Sequence, residues 1–207
     1  MAGPKHPVPV RTTTPRGDAS RRRMLSAARD ELVERGGRLE IDSVASRADS
    51  SVGLIYRHFG SRAGLIEAVV DEFYGRLRAA MLSADAPEAA SVADRERRRV
   101  ERVVAFHYAD PLSPVVLAHL HVDGPVAEHE AHQVDTLVSD VAAIVAGAQR
   151  GGDAPRGRDA RVVAAMVVGG MRQVLATALV SDPQPSEKRT ARALWVLVAA
   201  AMGIDAD

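Results

Sequence analysis

Apolar residues recur at every third or fourth position through most of this chain, which is the period of an amphipathic helix. Leu25, Ala28 and Leu32, with Val33 beside them, predict a first helix from about residue 18. Gly36 and Gly37 stop it. Ile41, Val44, Ala45 and Ala48 predict a short second helix. Asp49, Ser50 and Ser51 form a turn cluster in which Ser51 is placed to cap the next helix. Ile55 and Phe59 share one face of that third helix. Gly60 and Ser61 punctuate again, and Ile66, Val69, Val70, Phe73, Leu77 and Met81 hold the helical period over a longer fourth segment.

The remainder reads the same way. Residues 88–109 begin highly charged and end apolar at Val103, Val104 and Phe106. Pro111 and Pro114 open a short helix through Val115, Leu117 and Leu120. A long helix carrying Val134, Leu137, Val138, Val141, Ile144 and Val145 follows Gly124-Pro125. After a loop at 151–157, a strongly apolar helix covers about 158–181. The segment 182–186 breaks it, and a last helix covers about 187–203. No strand-type alternation of useful length and no internal repeat is present. The expected fold class is all-α, about nine helices, with an N-terminal helix-turn-helix domain and a C-terminal helical domain. The expected divisions are an arm at 1–17, a head at 18–64 and a larger domain at 65–207.

Charge sharpens this division. Residues 1–64 carry 12 Lys/Arg against 7 Asp/Glu, and residues 65–207 carry 15 against 20, so a neutral chain hides a basic head on an acidic body. That asymmetry suits a polyanion partner, and a solvated charged surface accounts for it equally. Residues 1–17 hold four Pro and no hydrophobic period, so a flexible basic arm is expected there. Cys is absent, which excludes a disulfide scaffold and a thiol nucleophile. No continuous apolar run of membrane length and no secretory h-region occur, so a cytoplasmic protein without a membrane partner is expected. Lys occurs only at positions 5 and 188 and Asn not at all, which reads as the codon bias of a GC-rich genome. No G-x-S-x-G, P-loop, G-x-G-x-x-G or H-E-x-x-H motif occurs; an enzyme is not expected, nor a cofactor.

The two short helices in 41–59, joined by a tight polar turn, have helix-turn-helix spacing. The local pattern by itself fits a plain helical hairpin as well. Beyond the pattern, the run from Arg22 to Leu65 resembles the DNA-binding domain of the TetR family of bacterial repressors. The resemblance is carried by Val44, Ala45, Ala48, Ser51, Gly53, Tyr56, His58, Phe59, Ser61 and Leu65, with Ile55 in place of Leu and Arg62 in place of Lys. Asp49 stands where the family has Gly, Ser50 where it has Val, Glu40 where it often has Ser or Thr, and Ala63 where it has Glu.

The resemblance implies double-stranded operator DNA as a partner and Tyr56, His58 and Arg62 as phosphate contacts. Ser51 and Ser61 would present helix N-termini to the backbone. Val52 and Leu54, flanking Gly53, are expected to face the groove and touch thymine methyls. Arg47 is the candidate for guanine, with a phosphate contact or a free surface charge as its alternatives; Arg57 is a weaker candidate.

The resemblance further implies a homodimer formed by the last two helices, for which Val163, Val167, Gly170, Val174, Leu194, Trp195 and Val198 supply faces. It implies an unidentified small-molecule effector whose binding releases a repressor from a palindromic operator. Met81, Phe106, His107, Leu117, Leu120, Gln133, Leu137, Met166 and Met171 are the candidate walls, and the scarcity of aromatics favours an aliphatic or modest-sized ligand. Five of the seven His lie within 107–132, which leaves a metal-responsive regulator as an alternative, beside a helical scaffold without DNA binding.

Overall fold

The computed structural model describes residues 15–83, 91–118 and 124–205. Among them are nine helices and no strand: α1 (Pro15–Glu34), α2 (Ile41–Arg47), α3 (Val52–Phe59), α4 (Arg62–Leu82), α5 (Val92–Ala109), α6 (Ser113–Ala118), α7 (Gly124–Gly151), α8 (Ala160–Val180) and α9 (Glu187–Met202).

Their ends follow local chemistry. Ser51 Oγ accepts from the Leu54 N–H, Ser61 from Gly64, Ser91 from Asp94, Asp159 from Arg161 and Val162, and Ser186 from Arg189. Each satisfies a donor that the first helical turn leaves open. Gly36 and Gly37, at φ 57° and 93°, turn the chain out of α1. The C-terminus of α4 is finished from outside: Arg99 donates to the Met81 carbonyl at 2.5 Å and Arg102 to Ala80 and Ser83 at 2.9 and 3.1 Å.

The head core joins Met24, Ala28 and Leu32 of α1, Val44 of α2, Ile55 of α3 and Leu65 of α4, all wholly buried. Truncating any of the large ones to Ala costs about 2–5 kcal/mol at such sites. The larger domain packs α7 on α8, α8 on α9, and α5 against both α4 and α9.

Two expectations shift. Residues 15–17 already belong to α1, so the expected arm is shorter than 1–17; residues 1–14 lie outside the described residues. A boundary at 64 falls inside α4, whose first turns pack in the head while Tyr74, Leu77 and Met81 belong to the larger domain. The same helix thus spans both bodies. In addition, α8 is long and apolar enough to cross a membrane by length and composition alone. Its inner side is buried against α7 and α9, and Arg172 in its middle is held by partners within the chain.

Candidate functional site

Helix α3 projects from the head with Gly53, Tyr56 and Arg57 on its outer face, at i, i+3 and i+4. Tyr56 is 45% exposed, and a side chain at Gly53 would meet nothing within 4 Å. The turn before it holds Asp49 at φ 48°, the conformation in which a Gly is least strained. Asp still tolerates it better than most residues. The base of α1 lies at the other end of α3, where the Arg21 guanidinium sits 5.3 Å from the Phe59 ring centroid. Arg22 and Arg23 are exposed beside it. An exposed phenol and exposed guanidiniums beside a capped, exposed helix suit a phosphate backbone.

The expected contact residues fall into different places. Ser51 and Ser61 cap α3 and α4. Val52 and Leu54 are half-buried against the head core and do not form the outer face. His58 is half-buried, with its ring centroid 6.1 Å from that of Phe59. Arg62 donates from Nε to the Leu39 carbonyl at 2.8 Å, pinning the loop before α2.

Arg47, the candidate for guanine, is exposed at the end of α2 and is paired there with acids of α1. Its Nη1 donates to Glu34 Oε1 at 2.9 Å, Nη2 meets Glu34 Oε2, and Nε lies 3.3 Å from Glu31. That hydrogen bond holds the Glu34 carboxyl below the usual carboxylate range. The centre of this network is Glu31, a wholly buried carboxylate that also takes Ser43 Oγ at 2.7 Å and Arg35 Nε at 2.6 Å. Charge counting along the sequence carries no signal for a buried Glu, because its donors, Arg35 just after α1 and Ser43 and Arg47 on α2, meet it only after folding.

A second feature lies in the larger domain. A cavity of about 70 Å³ opens among α4, α5, α7, α8 and α9, with almost wholly apolar walls. Met81, His107, Leu137 and Met171 line it, together with Val167 and Val198, which were expected on the outside. Val141, Leu175 and Arg99 join them unforeseen. Four other expected wall residues lie elsewhere. Phe106 packs edge-on against Phe73 at 5.2 Å. Leu117 is buried in α6 away from the cavity. Gln133 donates to Asp71 at 2.7 Å. Met166 is 64% exposed. Leu120 lies outside the described residues.

One end of the cavity is polar. Arg172 donates to Tyr74 Oη at 2.5 Å and to Glu130 Oε1 at 2.7 Å, and Tyr74 donates to the same carboxylate oxygen at 3.1 Å. Burial is the main cause that pushes the Tyr74 phenol above its ordinary range. His107 meets Ser113 Oγ through Nδ1 at 3.1 Å. Burial, helped by the Arg172 charge, lowers its pKa to about 4.

The residues expected to form a dimer face differ in exposure within the chain. Val163, Leu194, Trp195 and Val198 are core residues, each under a tenth exposed. Val167 and Val174 are half-buried and Gly170 is exposed. The outward apolar positions are instead Val162, Met166, Val180, Val196 and Leu197, all more than half exposed.

Among the described residues no three His, Asp or Glu gather as a metal site. His129 pairs with Asp71 at 2.6 Å and His132 is exposed, while His119 and His121 lie outside the described residues.

An exposed, capped second helix on a compact head, joined through a shared helix to a cavity-bearing bundle, is the arrangement of a helix-turn-helix head on an all-helical body. Residues 24–69 match the family model for bacterial regulatory proteins of the tetR family. Curated relatives include the HTH-type transcriptional repressor Rv3405c of Mycobacterium tuberculosis and the HTH-type transcriptional regulator Mb3439c of Mycobacterium bovis. Each is 36% identical over 83 residues, 40% of this chain and 43% of the relative. The match therefore spans less than half the length of these relatives. The fold is similar to a TetR-family regulator of Rhodococcus sp. (TM-score 0.71, 23% identity, 89% of this chain and 99% of that one). It is also similar to the fatty acid degradation regulator FadR of Bacillus halodurans (0.76, 15%, 91% and 96%) and to Salmonella enterica GusR (0.75, 22%, 93% and 98%). The head thus matches the DNA-binding model of the tetR family, and the fold of the whole chain is similar to that of these regulators.

Proposed function

We propose that this chain is a non-enzymatic, cytoplasmic transcriptional regulator. It binds a palindromic operator as a homodimer and is released by a small molecule. The observation that carries the reading is the outer face of α3, where Gly53, Tyr56 and Arg57 stand clear of the head core. Tyr56 and Arg57 donate to phosphate, and Gly53 lets the backbone approach the groove. Arg21, Arg22 and Arg23 extend the basic edge. Arg47 acts inside the head, through Glu34 and Glu31.

The dimer uses the unpartnered apolar stripe of α8 and α9. Val162, Met166, Val196 and Leu197 cover one another across a two-fold axis. That stripe also accounts for the membrane-like hydropathy of α8. The effector occupies the apolar cavity, whose walls include α4, the helix shared with the head. Release requires that the ligand favour one of two arrangements of α4 over the other.

Selection of binders from a random duplex DNA pool tests this reading, run with the parent and with Tyr56→Phe/Arg57→Ala. An inverted repeat is expected from the parent; the double variant should lose about one unit of salt slope per subunit for the Arg57 charge, and affinity without change of slope for the Tyr56 hydroxyl. A folded dimer that enriches no sequence at low salt overturns the reading.

A further inference from the structure

The polar groups around the cavity define what kind of molecule it takes. Four polar side chains reach it: Glu96, Arg99, His107 and Arg172. Three are charged and already matched. Arg99 binds Glu96 at 2.9 and 3.3 Å and the Met81 carbonyl at 2.5 Å. Arg172 binds Glu130 and Tyr74. An entering carboxylate finds its guanidiniums engaged, with an acid beside each. An entering ammonium meets the guanidiniums themselves. Either ion also gives up its hydration to walls that are nearly all hydrocarbon, which is costly without a full counter-charge.

His107 differs. It is 3% exposed and lies on the cavity wall, and its Nδ1 is engaged by Ser113. Among the described residues no group meets Nε2. Its low pKa leaves the ring neutral at physiological pH, so Nε2 carries either a proton or a lone pair, according to which role Nδ1 plays toward Ser113. A hydroxyl matches both states, and a carbonyl matches the protonated one. Arg99 and His107 are eight residues apart on α5, about 12 Å along the helix. The volume holds on the order of five water-sized groups in that run.

We propose that the cavity takes a slender, uncharged, mainly aliphatic molecule bearing one hydroxyl or carbonyl, whose oxygen meets His107 Nε2 while the chain lies between α5, α7 and α8 toward Arg99. This rests on the effector-cavity reading above and names the chemical class of that effector.

Calorimetric titration of the full chain at neutral pH with primary alcohols from butanol to decanol, and with carboxylates and primary amines of the same lengths, tests it. Alcohol affinity should rise roughly fourfold per methylene until the cavity is filled. The matched ions should bind at least about tenfold more weakly. His107→Leu should weaken the alcohols by roughly tenfold and leave the corresponding alkane unchanged. Val141→Phe, which narrows the cavity without replacing His107 or Ser113, should abolish binding of the longer alcohols while the protein still melts cooperatively. A carboxylate or amine that binds more tightly than its alcohol overturns the uncharged class. Equal alcohol affinity in a folded His107→Leu protein overturns the contact. If no chain with any head group binds the parent, the effector-cavity reading itself fails.

Discussion

Replacing Asp110 by Asn should loosen the joint between head and body. Asp110 follows α5, and its side chain is 4% exposed. It meets Arg29 of α1 at 2.8 Å, Arg76 of α4 at 2.7 Å and the Leu112 N–H at 3.0 Å. Burial opposes its charge, but the Leu112 N–H and the two guanidiniums outweigh burial and hold the carboxyl below its ordinary range. Asn keeps an oxygen for Leu112 and loses the charge facing both arginines. A hydrogen bond to a charged group contributes about 1.5–3 kcal/mol. Arg29 and Arg76 are 36% and 39% exposed, so water recovers part of that. The net loss should be about 2 kcal/mol, a fall in Tm of roughly 4–8 °C for a chain this size. Urea unfolding followed by circular dichroism measures it, and a cycle with Arg29→Ala should give a coupling of about 1 kcal/mol. A carboxyl with a lowered folded pKa contributes stability at pH values above its unfolded pKa. That contribution is lost as pH falls through the folded pKa. The gap between parent and Asn variant should therefore be full at pH 7 and close in strong acid. A variant within 0.5 kcal/mol of the parent at pH 7, or one whose deficit persists undiminished at the acid end, refutes the reasoning.

Other outcomes follow from the same geometry. A Cβ at Gly64 would lie 2.2 Å from the Phe59 carbonyl oxygen, so Gly64→Ala should cost about 1–3 kcal/mol in thermal unfolding. An unchanged Tm would contradict this packing of α3 on α4. Asp49→Gly relieves the left-handed turn residue and should stabilise by about 1 kcal/mol; a lower Tm would count against it. His107, with a folded pKa of about 4, binds its proton less readily than in the unfolded chain. Stability should fall as pH drops from about 6.5 toward 4, by on the order of 3 kcal/mol, and His107→Gln should flatten that part of the profile. Met166→Glu should shift the dimer toward monomer in light scattering without unfolding it; an unaffected dimer would remove α8 from the interface.

The sequence by itself determined what is settled within a few residues. Ser51 and Ser61 cap where their position before an apolar run predicts, because a cap needs only its own first turn. Gly36 and Gly37 end α1 for the same local reason, and the motif from Val44 to Leu65 carries the family resemblance because its offsets are short. Tertiary structure decided the rest. Each residue step rotates a side chain by 100° about the helix, so Trp195 is buried while Val196 and Leu197 face out. A hydrophobic letter reports that a face exists, and the neighbouring helices decide which way it turns. The arginines show the same limit. Arg47, Arg62, Arg99 and Arg172 look alike in composition, yet they serve Glu34, Leu39, Met81 and Glu130 respectively, partners from 13 to 42 residues away. A guanidinium takes whichever acceptor folding brings within 3 Å, and that distance exists only once the helices have packed.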